Sequence, residues 1–439
     1  MQAERRVNAN PTKEFFVNMI VKDILLKQAV IELIDNSIDG AKAMRETDYD
    51  GRKIDVSFNE NEFRIKDNCS GIPIDVAENY AFRFGRPKGK ESTDQETTGI
   101  FGIGMKRALF KMGKYFIISS RTRDESFEIE LDVNQWVNEQ NEEWDFPFSE
   151  LHENESNSTT GTEIVVKQMN EEIRKELADP EFENELILHI ERRVGLAISY
   201  GLSITVNGKP LKGNNVKLVN EKGAEPIVDD YTDGDIRVKI VAGVAPRPRP
   251  KYLPENAGWY IYCNERLVIA ADKSSLTTWK DMENKSSGTS FHNNYAPFRG
   301  IVYFNSLKPE MLPWNTTKTG IDETSQCFLR AREKMIEMFK AIKSFLDEMR
   351  KNTEENDDGV EETVATMKAI EMDAKKSKSI TSSQSIISID NVQVVTAPKV
   401  TISYKKPKEE VERVKELLGA KSNKAVGEET FDYYLDAEG

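Results

Sequence analysis

The chain has 439 residues, 38% hydrophobic and 31% charged, which allows two or three domains with separate cores. A net charge of −14 argues against a broad non-specific nucleic-acid surface, and a nucleic-acid partner is possible only through a local basic patch. No apolar run reaches the length of a membrane span, MQAERRVNANPTKEFF lacks a signal-peptide core, and Cys69, Cys263 and Cys327 lack metal spacing, so a cytoplasmic protein away from membranes and without zinc is expected.

Residues 14–46 read as helix. Within them, Val30, Leu33, Ile34, Ile38 and Ala41 form one apolar stripe, and Glu32, Asp35, Asn36 and Asp39 fall at i, i+3, i+4 and i+7 on the other face. A merely solvated face would favour Lys and Glu over Asn, Ser and Asp, which are weaker helix formers. The segment gives up helix stability to set a carboxylate one turn from a carboxamide. Such a pair suits a water oriented by Glu32 and a hard cation held by the oxygen of Asn36. Taken alone, the stripe fits an ordinary amphipathic helix equally well.

A hairpin follows. Ile54, Val56 and Phe58 alternate, Asn-Glu-Asn turns the chain, and Phe63, Ile65 and Asp67 share the inward parity of the next strand. A carboxylate on the apolar side needs a donor; capping the turn at Asn68 is the plainer role. Residues 82–98 form a polar, aperiodic loop long enough to be functional, with Arg86, Lys88 and Lys90. TGIFGIGMKRALFKMG then opens a helix behind Gly99, Gly102 and Gly104, whose backbone N–H groups and helix end suit a triphosphate. Neither a Walker A loop nor a dinucleotide GxGxxG occurs. Lys106 stands where it can touch phosphate or snorkel from the core edge. YFIISSRT, FEIELDV and GTEIVV are strands, with the polar loop HENESNSTT before the last.

A second domain is expected over 171–350. It holds a helix through ILHIERRVGLAISY, a hairpin turning at Asn207-Gly208, further strands, and an amphipathic helix over 322–349 with Phe328, Met335, Phe339, Ile342 and Leu346 on its stripe. Residues 351–390 read as a flexible linker and 391–439 as a small βαα element, too small to bury its apolar face without a partner.

A helical ExxxN, then DN..G at 67–71, GxFGxG at 99–104 and GT at 161–162 resemble, in this order, the GHKL ATPase superfamily of gyrase B, heat-shock-ninety chaperones, histidine kinases, MutL and MORC proteins. The likeness covers roughly residues 14–170 and implies an α+β protein: a Bergerat-type α/β sandwich over 1–170 binding ATP and Mg²⁺, then a mixed α/β transducer-like domain. It implies Glu32 as general base for an attacking water and Asn36 as the Mg²⁺ ligand. Asp67 would accept from the adenine amino group, with Asn68 and Gly71 beside it and Thr162 bound to adenine through water. Gly99, Phe101, Gly102, Ile103, Gly104, Met105 and Lys106 would surround the phosphates under a lid formed by 82–98. Lys318 in LPWNTTKTGID would reach the phosphate site from the transducer. Cys69 departs from the usual DxGxG of the family, where glycine is common. Histidine kinases place a phosphoacceptor histidine before this domain, and none stands there. The MutL and MORC layout is nearer and implies a slow, switch-like ATPase closing as a homodimer, with a protein partner at the C-terminal element. A chaperone-like ATPase or a non-catalytic ATP-gated scaffold is the alternative.

Overall fold

A computed structural model of the protein describes residues 11–45, 48–85, 96–99, 103–138, 143–213, 215–220, 224–246, 252–277, 279, 291–315, 317–354, 369–371, 405–420 and 422–438. Helix α1 (Lys13–Ile20) starts at Thr12, whose hydroxyl oxygen accepts the N–H of Phe15, and α2 (Leu26–Lys42) follows. The single helix expected over 14–46 is therefore two. Leu25 takes extended backbone, Gln28 accepts its N–H at 3.4 Å, and Ile24 buries in the break.

Strands β1 (Lys53–Phe58) and β2 (Glu62–Asp67) form the expected antiparallel hairpin, with Ile54 opposite Asp67. A short α3 (Ile74–Val76) runs into a π-helical turn, Ala77–Ala81. After these come α4 (Gly104–Met112), β3 (Gly113–Arg121), β4 (Ser126–Asp132), α5 (Val133–Asn138), β5 (Phe148–His152) and β6 (Gly161–Met169). The chain continues through α6 (Glu171–Leu177), α7 (Pro180–Ser199), β7 (Ser203–Val206) and β8 (Lys209–Pro210).

These strands make one mixed sheet in the order β5-β4-β3-β6-β2-β1-β7-β8. The sheet extends past the boundary expected at residue 170. The α7 crossover returns the chain parallel to β1, so Ile204 and Val206 bury in the same core as Val30 and Ile34 of α2, Leu109 of α4 and Ile190 of α7. Asn207 and Gly208 both have positive φ, 47° and 78°, as a two-residue hairpin turn requires.

After β9 (Lys217–Val219), a second sheet takes the order β10-β11-β14-β12-β13 from β10 (Ile227–Asp233), β11 (Ile236–Val244), β12 (Gly258–Cys263), β13 (Arg266–Asp272) and β14 (Phe298–Asn305). Helix α8 (Gln326–Glu354) lays the predicted stripe of Phe328, Met335, Phe339, Ile342 and Leu346 into a second core with Trp259, Trp279 and Phe298. Within the stretch expected as linker, β15 (Ala369–Glu371) pairs antiparallel with β9. Helices α9 (Lys408–Leu418) and α10 (Asn423–Glu438) flank Gly419, which takes the left-handed conformation that ends α9. The strand expected over VTISYKK, residues 400–406, lies outside the described residues up to 404, and Lys405 and Lys406 are not in a strand; Arg86, Lys88 and Lys90 also lie outside the described residues. The fold is thus a mixed α/β sandwich followed by a second mixed sheet with its own helix. Among the described residues no helix is long and apolar enough to cross a membrane.

Candidate functional site

The inward parity of β2 delivers Asp67 to a buried position. Its Oδ1 accepts from the backbone N–H groups of Cys69 at 2.9 Å and Thr162 at 3.1 Å, and its Oδ2 from the Ser37 hydroxyl at 2.7 Å. The Cys69 thiol also bonds to the carboxylate, so a further donor shares an oxygen with these groups or displaces one of them. Burial pushes the Asp67 carboxyl above its ordinary value, against the pull of these hydrogen bonds. Asp67 lines a cavity whose walls include Leu33, Ile65, Gly71, Met105, Thr162 and Ile164. Walls of mainly apolar residues, with the Asp67 carboxylate and the polar side chains of Asn36, Ser37, Ser70 and Thr162 among them, suit a flat heteroaromatic ring bearing an exocyclic amine. Strand β6 approaches closely only because residue 161 is glycine: at its φ of +146° a Cβ would stand 2.1 Å from the Asp67 carbonyl oxygen.

Asn68, expected beside the ligand, instead braces the hairpin. Its Oδ1 accepts from the Lys53 N–H at 2.6 Å and its Nδ2 donates to the Gly51 carbonyl at 2.8 Å. Cys69 is buried on the cavity wall, and Thr160 donates to its carbonyl at 2.6 Å.

Glu32 and Asn36 sit one turn apart on α2 in different surroundings. Asn36 is exposed and lines the cavity, whereas Glu32 is 4% exposed. Glu32 packs on the N-terminus of α4 so closely that a Cβ at Gly104 would lie 2.3 Å from Oε2. Lys318 Nζ stands 3.1 Å from Glu32 Oε2 and 4.0 Å from Asp35 Oδ2. Arg266 pairs with Asp35 and stands 3.7 Å from Glu32 Oε1, and Arg107 stands 3.9 Å from the same oxygen. Burial pushes the Glu32 carboxyl up, but Lys318, then Arg266 and Arg107, outweigh it and hold the group below its ordinary value. Burial lowers Lys318, against the opposing pull of Glu32. Lys318, Arg266 and Arg107 thus gather on Glu32 and Asp35, and Asp39 also acts on Lys318.

The loop that carries Lys318 is built on Asn315. Its Oδ1 accepts from the Thr317 hydroxyl and from the N–H groups of Thr319 and Gly320, and a Trp314–Ile321 bridge closes the loop. Lys318 holds a φ of +54° at its tip, a conformation that costs a non-glycine residue on the order of 1 kcal/mol and is found at functional sites.

Around the glycine motif the outcome is mixed. Gly99 N–H donates to Asp39 Oδ2 at 3.1 Å, Ile103 precedes α4, and Met105 lines the cavity; Phe101 and Gly102 lie outside the described residues. Lys106, expected at phosphate, is 1% exposed; its ammonium donates to the Ala81 carbonyl at 2.7 Å and lies 5.7 Å from the centre of the Phe84 ring. The helical phase two residues after Gly104 turns it to the π-helical turn, and burial lowers its pKa to about 7. Ser37, Arg107 and Arg266 were not singled out by sequence reasoning. Ser37 follows Asn36 and could have been found by asking what donates to Asp67. Arg266 carries no local signal.

A layered α/β sandwich, an acidic acceptor on a cavity wall, a carboxylate–carboxamide helix and a glycine-opened helix come together in this part of the chain. Residues 24–163 match the model of the histidine kinase-, DNA gyrase B-, and HSP90-like ATPase family. The match supports the GHKL ATPase superfamily for this segment, and with it ATP binding and ATP hydrolysis as the class of activity. No curated protein matches the chain.

Proposed function

We propose that the protein is a slow ATPase whose nucleotide state sets the engagement of its second domain, MORC-like in layout. The observation that carries this reading is Lys318, delivered by the second domain onto the buried Glu32 of the first. Glu32 acts as general base for a water in line with the terminal phosphate. The lowered proton affinity of Glu32 makes it a weak base, in keeping with slow turnover. The Asp67 carboxylate accepts from the adenine amino group, and the Thr162 side chain at the cavity wall reaches the ring through water.

Mg²⁺ belongs to this reading through Asn36, whose carboxamide is exposed at the cavity. Asn36 would hold the ion through its carboxamide oxygen, and the ion when bound would supply charge neutralisation at the phosphates. Closure of a homodimer belongs to this reading. So does a protein partner at α9 and α10, where Leu417, Phe431, Tyr433 and Tyr434 are exposed.

Purified protein should release phosphate from Mg²⁺-ATP, and its sedimentation should differ between ADP and a non-hydrolysable ATP analogue. Tight ATP binding with no phosphate release would favour the ATP-gated scaffold, and absence of ATP binding would defeat both.

A further inference from the structure

The turn between β12 and β13 touches the nucleotide domain at three consecutive residues. Asn264 and Glu265 hold positive φ, 46° and 73°, and glycine is the usual residue at the second of these places. Glu265 accepts from both terminal guanidinium nitrogens of Arg45, at 2.9 and 3.1 Å, and from the Tyr49 hydroxyl at 2.7 Å. Arg266 pairs with Asp35.

Asn264 does something different. It is fully buried, and its Nδ2 donates to the carbonyls of Thr97 at 2.7 Å and Ser306 at 2.9 Å while its Oδ1 accepts the Ser306 N–H at 2.9 Å. Beside it the buried Lys42 of α2 donates to the carbonyls of Glu96 at 2.8 Å and Asn264 at 3.0 Å. Asp39, one turn earlier on α2, takes the N–H groups of Thr98 and Gly99 and the Thr98 hydroxyl. Residues 96–99 are thus held one after another, by α2 from one side and by the second domain from the other. In sequence they lead directly into the glycine motif.

We propose that Asn264 is a positioning residue for nucleotide binding: from the second domain it fixes segment 96–99, so that ATP affinity depends on the docking of the β12–β13 turn. The proposal rests on the ATP-binding reading above and adds a contact independent of Lys318. A turn that needed only its backbone shape would be served by glycine. The carboxamide is required because it faces two carbonyls and one N–H at once, which neither a carboxylate nor a hydroxyl satisfies.

The test uses the full chain with Asn264→Gly, which keeps the turn and removes the carboxamide, and Asn264→Asp, which keeps the shape and sets an acceptor against two carbonyls. Mg²⁺-ATP affinity is measured by calorimetry, and amide hydrogen exchange at Thr98 and Gly99 is followed without nucleotide. Asn264→Gly should weaken ATP binding roughly three- to tenfold, the scale of one or two buried hydrogen bonds. Asn264→Asp should weaken it at least as much, and both should quicken exchange at 98–99. Parental affinity in a folded Asn264→Gly, or in Asn264→Asp, overturns the proposal. Should Asn264→Gly not fold, Lys42→Met breaks the same junction from the helix side, and parental affinity there overturns it equally. A parent that binds no ATP defeats the earlier reading instead. Unchanged exchange at Thr98 and Gly99 would still defeat this one.

Discussion

Lys318 Nζ lies 3.1 Å from Glu32 Oε2, although 286 residues separate the two in sequence. The contact joins the second domain to the proposed base of the first. One ammonium cannot serve Glu32 and a phosphate equally, so an entering polyanion competes for it. That competition gives each nucleotide state a different preference for the position of the second domain.

Lys318→Ala should therefore keep ATP binding through Asp67 and lose the ATP-dependent change in shape. A charged hydrogen bond of this kind is worth about 1.5–3 kcal/mol, a shift of an order of magnitude or more between open and closed forms. Small-angle scattering with ADP and with a non-hydrolysable analogue reads it. A mutant that still compacts with the analogue leaves Lys318 a structural partner of Glu32 without a part in the coupling.

Asp67→Asn should lower ATP affinity by roughly ten- to a hundredfold, because the amide sets mixed donors where the adenine amino group needs an acceptor. The raised Asp67 carboxyl adds a pH dependence. As pH falls through its elevated pKa the carboxylate gains a proton and loses an acceptor position, so ATP affinity should drop toward acid pH. The drop should be absent in Asp67→Asn. Equal affinities for ATP and GTP in the parent would contradict the adenine assignment.

Lys106 predicts an effect on stability that also favours higher pH. Its native pKa is lowered to about 7 from 10.5, by burial. Between those values the unfolded chain binds more protons than the native one, so this group makes stability rise with pH. Lys106→Met removes the buried amine, and its gain in stability over the parent should be largest at pH 6 and shrink by pH 9. Urea midpoints at the two pH values check it, and an equal effect at both would mean that the amine stays charged beside Ala81 throughout, its pKa not lowered.

What could be read from the sequence was what is local. Glu32 and Asn36 follow from helical spacing within α2, and Asp67 from strand parity in β2. Lys318 was found through a family resemblance, since nothing in its Thr-rich loop marks a partner in α2. Arg266 escaped notice because its pairing with Asp35 spans 231 residues and is made only when the domains dock. Asp39 was seen on the polar face, but its target is the backbone N–H groups of Thr98 and Gly99, which have no sequence signature. Lys106 has two readings in the sequence, phosphate contact and snorkelling from the core edge, and its helical phase turns it to the Ala81 carbonyl. The continuation of the first sheet past residue 170 is hidden for a similar reason: β7 pairs with β1 across a helix that reads as the start of a new domain.

Phosphate release by Glu32→Gln, measured beside ATP binding by the same protein, tests the central claim most directly. The amide keeps the size of Glu32 and removes its capacity to accept a proton from water. Turnover should fall on the order of 10²–10⁴-fold, the range for loss of a general base, while Mg²⁺-ATP still binds through Asp67 and Asn36. Undiminished phosphate release by Glu32→Gln would contradict the account.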